Sequence, residues 1–127
     1  MSNPETNKTN VSRFYAMMFN DCNPRKAVEQ YVGDEYIQHN PHVATGKLGF
    51  IEYFERMARE WPGKHVDIKQ IFADGNFVIV HCLQRWPGGD DYVAIDIFRL
   101  DDNGKIVEHW DALQILPHGS ENSNGMF

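Results

Sequence analysis

The chain has little with which to crosslink itself. Cys22 and Cys82 are its only cysteines in 127 residues, too few for a disulfide framework. Long hydrophobic runs are absent: no apolar stretch approaches the roughly 20 residues that span a bilayer, and the first ten residues are polar, unlike a secretory leader. Positive charge is also scarce. Twelve Lys and Arg face 18 Asp and Glu, for a formal net charge of −6, which argues against nucleic-acid and anionic-membrane partners, since both select basic surfaces. A cytoplasmic protein is the simplest expectation. Common cofactor and metal signatures are missing as well. There is no Gly-x-Ser-x-Gly, glycine-rich phosphate loop, Rossmann fingerprint, His-Glu-x-x-His or Cys-x-x-Cys. His39 and His42 are three apart, but in a proline-containing loop. No metal and no cofactor are expected.

What is present is enough for one core. Hydrophobic residues make up 42% and aromatics 13%, which suits a single domain over 1–127 with polar tails at 1–8 and 117–127. Thr9 or Asn10 can cap a first helix carrying Val11, Phe14, Tyr15, Met18 and Phe19 at helical spacing. Pro24 suits the first turn of a second helix with Ala27, Val28 and Tyr31, ended by Gly33. Residues 36–41 read as extended, because Pro41 disfavours helix at Asn40. A third helix is predicted over 47–60, with Leu48, Ile51, Phe54, Met57 and Ala58 as its apolar stripe. From His65 the period becomes two. Strands are predicted at 66–73, 77–86, 92–100 and 105–116, separated by Asp74-Gly75-Asn76, Pro87-Gly88-Gly89-Asp90 and Asp101-Asp102-Asn103-Gly104. Helices followed by a meander make the class α+β. The central strands are apolar on both faces, and three helices can cover only one. A homodimer through the other face of the sheet is expected.

Chemistry concentrates in the last strand, Ile106-Val107-Glu108-His109-Trp110-Asp111-Ala112-Leu113-Gln114-Ile115. Side chains two apart share a face, so Val107, Leu113 and Ile115 share theirs with His109 and Asp111. Titratable groups on an apolar face must find partners or shift their pKa values, the usual preparation of an acid/base site. Counting outward from the turn at 101–104 brings Asp96 near the level of Asp111 or His109. Two carboxylates in one apolar cleft raise one pKa and divide the roles of base and acid. Asp111, Asp96 and His109 are therefore the catalytic candidates. His39, Asn40, His81, Phe98 and Trp110 are the candidate contacts for a small-molecule ligand.

The segments Tyr36-Ile37-Gln38-His39-Asn40-Pro41, Asp96-Ile97-Phe98-Arg99 and Gly104-Lys105-Ile106-Val107-Glu108-His109-Trp110-Asp111 resemble the SnoaL-like polyketide cyclases of the nuclear transport factor 2-like superfamily. The closing Asn124-Gly125-Met126-Phe127 resembles the tail of bacterial members labelled SnoaL-like aldol-condensation enzymes. The resemblance implies a cone-like α+β barrel, with three N-terminal helices on a strongly curved, mostly antiparallel sheet and a pocket at its open end. It implies cofactor-free aldol-type cyclisation or condensation of a small, mostly apolar carbonyl compound. Asp111 matches the proton-abstracting aspartate, Asn40 and His39 match polar pocket residues, and Asp96 matches a partner on the neighbouring strand. An isomerase, dehydratase or epoxide hydrolase on the same scaffold, and a non-catalytic ligand-binding or dimerisation module, are the rival readings.

Overall fold

The computed structural model describes residues 3–127. The expected polar tail at 1–8 is helical from Pro4 onward, and its first two residues, Met1 and Ser2, lie outside the described residues. The first helix, α1, spans Pro4–Tyr15 and begins earlier than the sequence pattern suggests. Asn3, not Thr9 or Asn10, is its cap: the Asn3 side chain accepts from the backbone N–H groups of Glu5 and Thr6, and Pro4 needs no donor in the first turn. A π-helical turn, Ala16–Asn20, extends α1. It keeps Met18 and Phe19 in the core and delivers Asn20 to the sheet, where its side chain accepts from Val66 N–H at 2.7 Å and donates to Val66 C=O at 3.3 Å.

Helix α2 spans Pro24–Tyr31 and passes directly into strand β1, Val32–Gln38. Gly33 therefore lies in the strand and does not end the helix. Its function is close approach: a Cβ there would stand 2.8 Å from a Val107 methyl. Helix α3 spans Lys47–Glu60, as its pattern predicts, but its buried residues are Phe50, Ile51 and Met57. Leu48 is 60% exposed and Phe50 is buried in its place, while Ile51 and Met57 hold the predicted face.

Strands β2 (His65–Asp74), β3 (Phe77–Arg85), β4 (Tyr92–Leu100) and β5 (Ile106–Ile115) form the antiparallel part of the sheet. The strand order is β1-β5-β4-β3-β2, with β1 parallel to β5. The sheet is mixed and not closed, with three helices against one face, in keeping with an α+β cone. The core between them includes Val11, Phe14, Tyr15, Phe19, Phe50, Val78, Val80, Phe98 and Ile106. Register breaks between Arg99 and Leu100 where β4 meets β5, so Val107 is a bulge. That bulge brings Ile106, rather than Val107, into line with the inward positions that follow. Leu113 and Ile115 run beyond the helical cover and are exposed.

The opposite face of the sheet carries exposed Phe72, Phe77, Ile79 and Ile95. The C-terminal tail lies on this side: Phe127 stacks on His81 with ring centroids 5.4 Å apart, beneath Lys69 Nζ at 5.7 Å. Both cysteines are free thiols. Among the described residues, no helix is long and apolar enough to cross a membrane.

Candidate active site

The β4–β5 register sets Asp96 opposite Asp111 and Phe98 opposite His109. All four side chains point under the helices, because they alternate with the outward-facing Ile97 and Trp110. The diagonal between neighbouring pairs is short enough for long side chains to meet. His109 Nε2 lies 2.8 Å from Asp96 Oδ1 and 3.8 Å from Asp111 Oδ2. On the other side of β5, the parallel strand β1 pairs Gln38 with His109. The chain then turns out of the sheet and brings Asn40 over Asp111.

That turn is held by its own side chains. Asn40 Oδ1 accepts the His42 N–H at 2.8 Å, which leaves Asn40 Nδ2 facing the Asp111 carboxylate, 2.9 and 3.1 Å from its two oxygens. The parallel β1–β5 pairing creates this contact between residues 71 positions apart.

Asp96 is 2% exposed and well supplied with donors. Besides His109, its Oδ2 accepts from the Tyr15 hydroxyl at 3.2 Å and from Cys82 Sγ at 3.4 Å. A directed chain supports Tyr15. The Trp86 indole N–H, which can only donate, gives to Gln84 Oε1 at 3.1 Å, and Gln84 Nε2 gives to the Tyr15 oxygen at 2.7 Å. Each amide and hydroxyl is thereby oriented, and the chain ends on Asp96. Burial, reinforced by the nearby Asp96 charge, pushes the Tyr15 and Tyr36 hydroxyls well above their usual range and the Cys82 thiol upward. All three stay protonated at neutral pH. Asp111 is also shifted up: burial is the main cause and Asp96 adds to it, while His109 and the Asn40 hydrogen bond pull the other way.

Two adjoining voids share Asn40 and Asp111. The outer one is an open pocket of about 570 Å³, walled by Tyr53, Met57, Trp61, Trp86, Tyr92 and Leu113. The inner one, about 30 Å³, reaches Gln38, Gln84, Asp96, Phe98 and His109. Asp111 is thus the floor of the pocket, and Asp96 and His109 lie one layer deeper. Nε2 of His109 and one oxygen of each aspartate fall within 4.8 Å of one another. In this arrangement Nε2 is engaged with Asp96 at hydrogen-bond distance, 2.8 Å.

The remaining sequence candidates lie elsewhere. Alternation along β5 puts Trp110 on the outer face, where the His39 ring stacks on it at 4.8 Å and an angle of 5°. His39 Nε2 pairs with Glu108 at 2.8 Å, and Glu108 also takes Arg99 Nε at 2.9 Å. Neither His39 nor Trp110 lines the pocket. His81 is likewise outward, against Phe127, because Val80 and Cys82 take the inward positions of β3. Phe98 packs on the His109 ring at 4.8 Å and lines the inner void rather than the open pocket. No residue of the C-terminal tail lines the pocket. Sequence reasoning did not place Tyr15, Gln38, Tyr53 or Gln84 among the site residues, and Tyr15 entered it only as part of the apolar spacing of the first helix. Gln84 carried a usable signal: it follows Val78, Val80 and Cys82 at the buried parity of β3.

Comparison with known proteins agrees with this architecture. A Bacillus cereus protein provisionally named a polyketide cyclase superposes with a TM-score of 0.73 at 22% identity, over 85% of this chain and 74% of that one. An M. tuberculosis LEH-like epoxide hydrolase gives a TM-score of 0.70 at 20% identity, over 87% and 84%. A Kribbella flavida protein provisionally named a ketosteroid isomerase gives 0.72 at 15% identity, over 98% and 87%. These likenesses show the fold. None of the curated proteins matches this chain. The family model described as a SnoaL-like domain matches residues 11–109, more than half of the sequence, and the chain belongs to that family.

Proposed function

We propose that the protein is a cofactor-free acid/base enzyme acting on a small, mostly apolar carbonyl compound by aldol-type cyclisation or condensation. The carrying observation is Asp111, a carboxylate with a raised pKa at the floor of a pocket with largely apolar and aromatic walls. As general base it takes a proton from the carbon alpha to the carbonyl. The C–H electrons become the enolate C=C bond, and the carbonyl π pair moves to oxygen. The enolate carbon then attacks a second carbonyl, and the resulting alkoxide recovers the proton from Asp111. An enolate needs donors aimed at its oxygen. Tyr53 supplies a phenol on the pocket wall that burial keeps protonated. Behind Asp111, the His109 ring favours its anionic form while the Asp96 carboxylate opposes it.

The test is α-proton exchange, which needs no knowledge of the natural substrate. Aromatic and polyketide-like ketones that quench pocket tryptophan fluorescence are incubated in D₂O and followed by NMR. Exchange above background with the wild type, lost in Asp111→Asn, supports the reading. Ligands that bind without exchange refute it and favour a non-catalytic binding module.

The inner void favours a second reading. It has polar walls on Asn40, Asp96, His109 and Asp111 and room for a water molecule. Water activated by Asp111 would suit a dehydratase or an epoxide hydrolase, the name borne by one structural neighbour. Incorporation of ¹⁸O from labelled water into product separates the two reactions. We also propose a homodimer, joined through the exposed Phe72, Phe77, Ile79 and Ile95 of the outer sheet face.

A further inference from the structure

Gln38 belongs to no apolar pattern and lines no wall of the open pocket, yet three nitrogens converge on its side-chain oxygen. The backbone N–H groups of His39 and Asn40 each lie 3.0 Å from Gln38 Oε1, the former shared with the His109 carbonyl, and His109 Nδ1 lies 2.7 Å away. A backbone N–H can only donate, so the atom facing Nδ1 is the oxygen. An amide oxygen can only accept, so Nδ1 must carry hydrogen.

We propose that Gln38 is a positioning residue that fixes the tautomer of His109 and so places the site's mobile proton on the Asp96–His109 hydrogen bond, beside Asp111. With Nδ1–H fixed, one proton remains between Nε2 and Asp96 Oδ1. Whether it rests on nitrogen or on oxygen, the pair carries zero net charge, and the proton stays on the edge of the ring that faces Asp111 Oδ2. The imidazole cannot flip without giving up the Gln38 bond. This is the second-partner logic that sets which ring nitrogen of a histidine does the work. The catalytic consequence rests on the acid/base reading of Asp111; the protonation geometry does not.

The test separates the two. Protein labelled with ¹⁵N-histidine is examined by long-range ¹H–¹⁵N correlation, with His109→Asn identifying the His109 signals among the six histidines. The wild type should show Nδ1 of protonated character. Gln38→Glu keeps an acceptor and should preserve that pattern. Gln38→Met keeps the length but removes the acceptor, and should move the ring toward the Nε2–H tautomer or an average of both. An unprotonated Nδ1 in the wild type overturns the proposal, and so does an unchanged pattern in Gln38→Met. The wild-type spectrum alone is decisive if Gln38→Met does not fold. In the exchange assay, Gln38→Met should slow exchange about tenfold or more with pocket affinity unchanged, and Gln38→Glu should restore part of the rate. An unaltered tautomer with a slowed rate would refute the mechanism of coupling. Absence of exchange in every variant, with the expected spectra, would instead refute the acid/base reading.

Discussion

Replacing Tyr15 with Phe removes one oxygen and leaves no cavity, so its cost measures the buried hydrogen-bond chain directly. Two groups lose a close hydrogen bond, and Cys82 Sγ loses a long contact at 3.9 Å but keeps Asp96. Asp96 Oδ2 loses a donor at 3.2 Å, long for a hydroxyl on a carboxylate, so the low end of the charged range applies, about 1.5 kcal/mol. Gln84 Nε2 loses its acceptor at 2.7 Å inside a residue that is 4% exposed, and an unmet buried donor costs roughly 1–3 kcal/mol. The sum is about 2.5–4.5 kcal/mol. For a domain of this size each kcal/mol moves Tm by roughly 3–5 °C, so Tyr15→Phe should lower it by about 8–22 °C. Urea unfolding followed by far-UV circular dichroism gives the free energy. The double variant Tyr15→Phe, Gln84→Met removes the orphaned amide, and partly exposed Trp86 can turn its indole N–H to water. Its cost should therefore fall short of the sum of the singles by about 1 kcal/mol or more. A loss below about 1 kcal/mol in Tyr15→Phe, with the two substitutions additive, would show that the chain from Trp86 to Asp96 carries no energy and that Asp96 is held by His109 and Cys82.

Three further outcomes are expected. Asp111 holds its proton more tightly in the folded chain than in the unfolded one, so its contribution favours folding at low pH and is lost as pH rises through the folded value. Asp111→Asn has no such dependence, and its Tm should exceed that of the wild type at pH 7, with the gap closing toward acid; a gap constant with pH contradicts the shift. Gly49→Ala ought to gain about 1 kcal/mol from helix propensity. Its Cβ, however, would stand 2.6 Å from the Ala44 carbonyl oxygen, so the loop or α3 must shift, and a net loss of roughly 1–2 kcal/mol in urea unfolding is the expected sign. Ile79→Lys with Ile95→Lys should halve the mass measured by sedimentation equilibrium without changing the tautomer of His109. An unchanged mass removes the outer face as the interface.

Local patterns made most of the fold readable. The period of two, the turns at 74–76 and 101–104 and the spacing over 47–60 each reflect physics confined to a few neighbouring residues. Counting from the last turn placed Asp96 near Asp111, and the pair does lie opposite. The errors came where a local rule met a non-local contact. Alternation put Val107 with His109, but β5 bulges at Val107, where Gly33 lets β1 approach closely. The stripe of α3 favoured Leu48 over Phe50 because spacing alone does not say which way a helix is turned on its sheet. Trp110 could have been set aside on the sequence alone, since strict alternation opposes it to both His109 and Asp111.

The residues that organise the site's protons were hidden for a different reason. Gln38 acts on His109, and Asn40, which the sequence did mark, acts on Asp111, only because β1 runs parallel to β5, and parallel pairing needs a crossover with no short turn to announce it. Tyr15 and Gln84 act on Asp96 from a helix and a strand that the chain joins only through the core. Each is of a residue type common in cores and turns, so composition does not mark it. What marks them is direction. An indole N–H can only donate, a backbone N–H can only donate and an amide oxygen can only accept, so the orientation of every link between Trp86 and Asp96, and between Gln38 and His109, is forced. Two such chains converge on one hydrogen bond, between Asp96 and His109, and leave Asp111 as the carboxylate of the cluster that faces the open pocket. On the acid/base reading proposed above, that asymmetry assigns proton exchange with a ligand to Asp111 and not to Asp96, although the two stand side by side in the sheet.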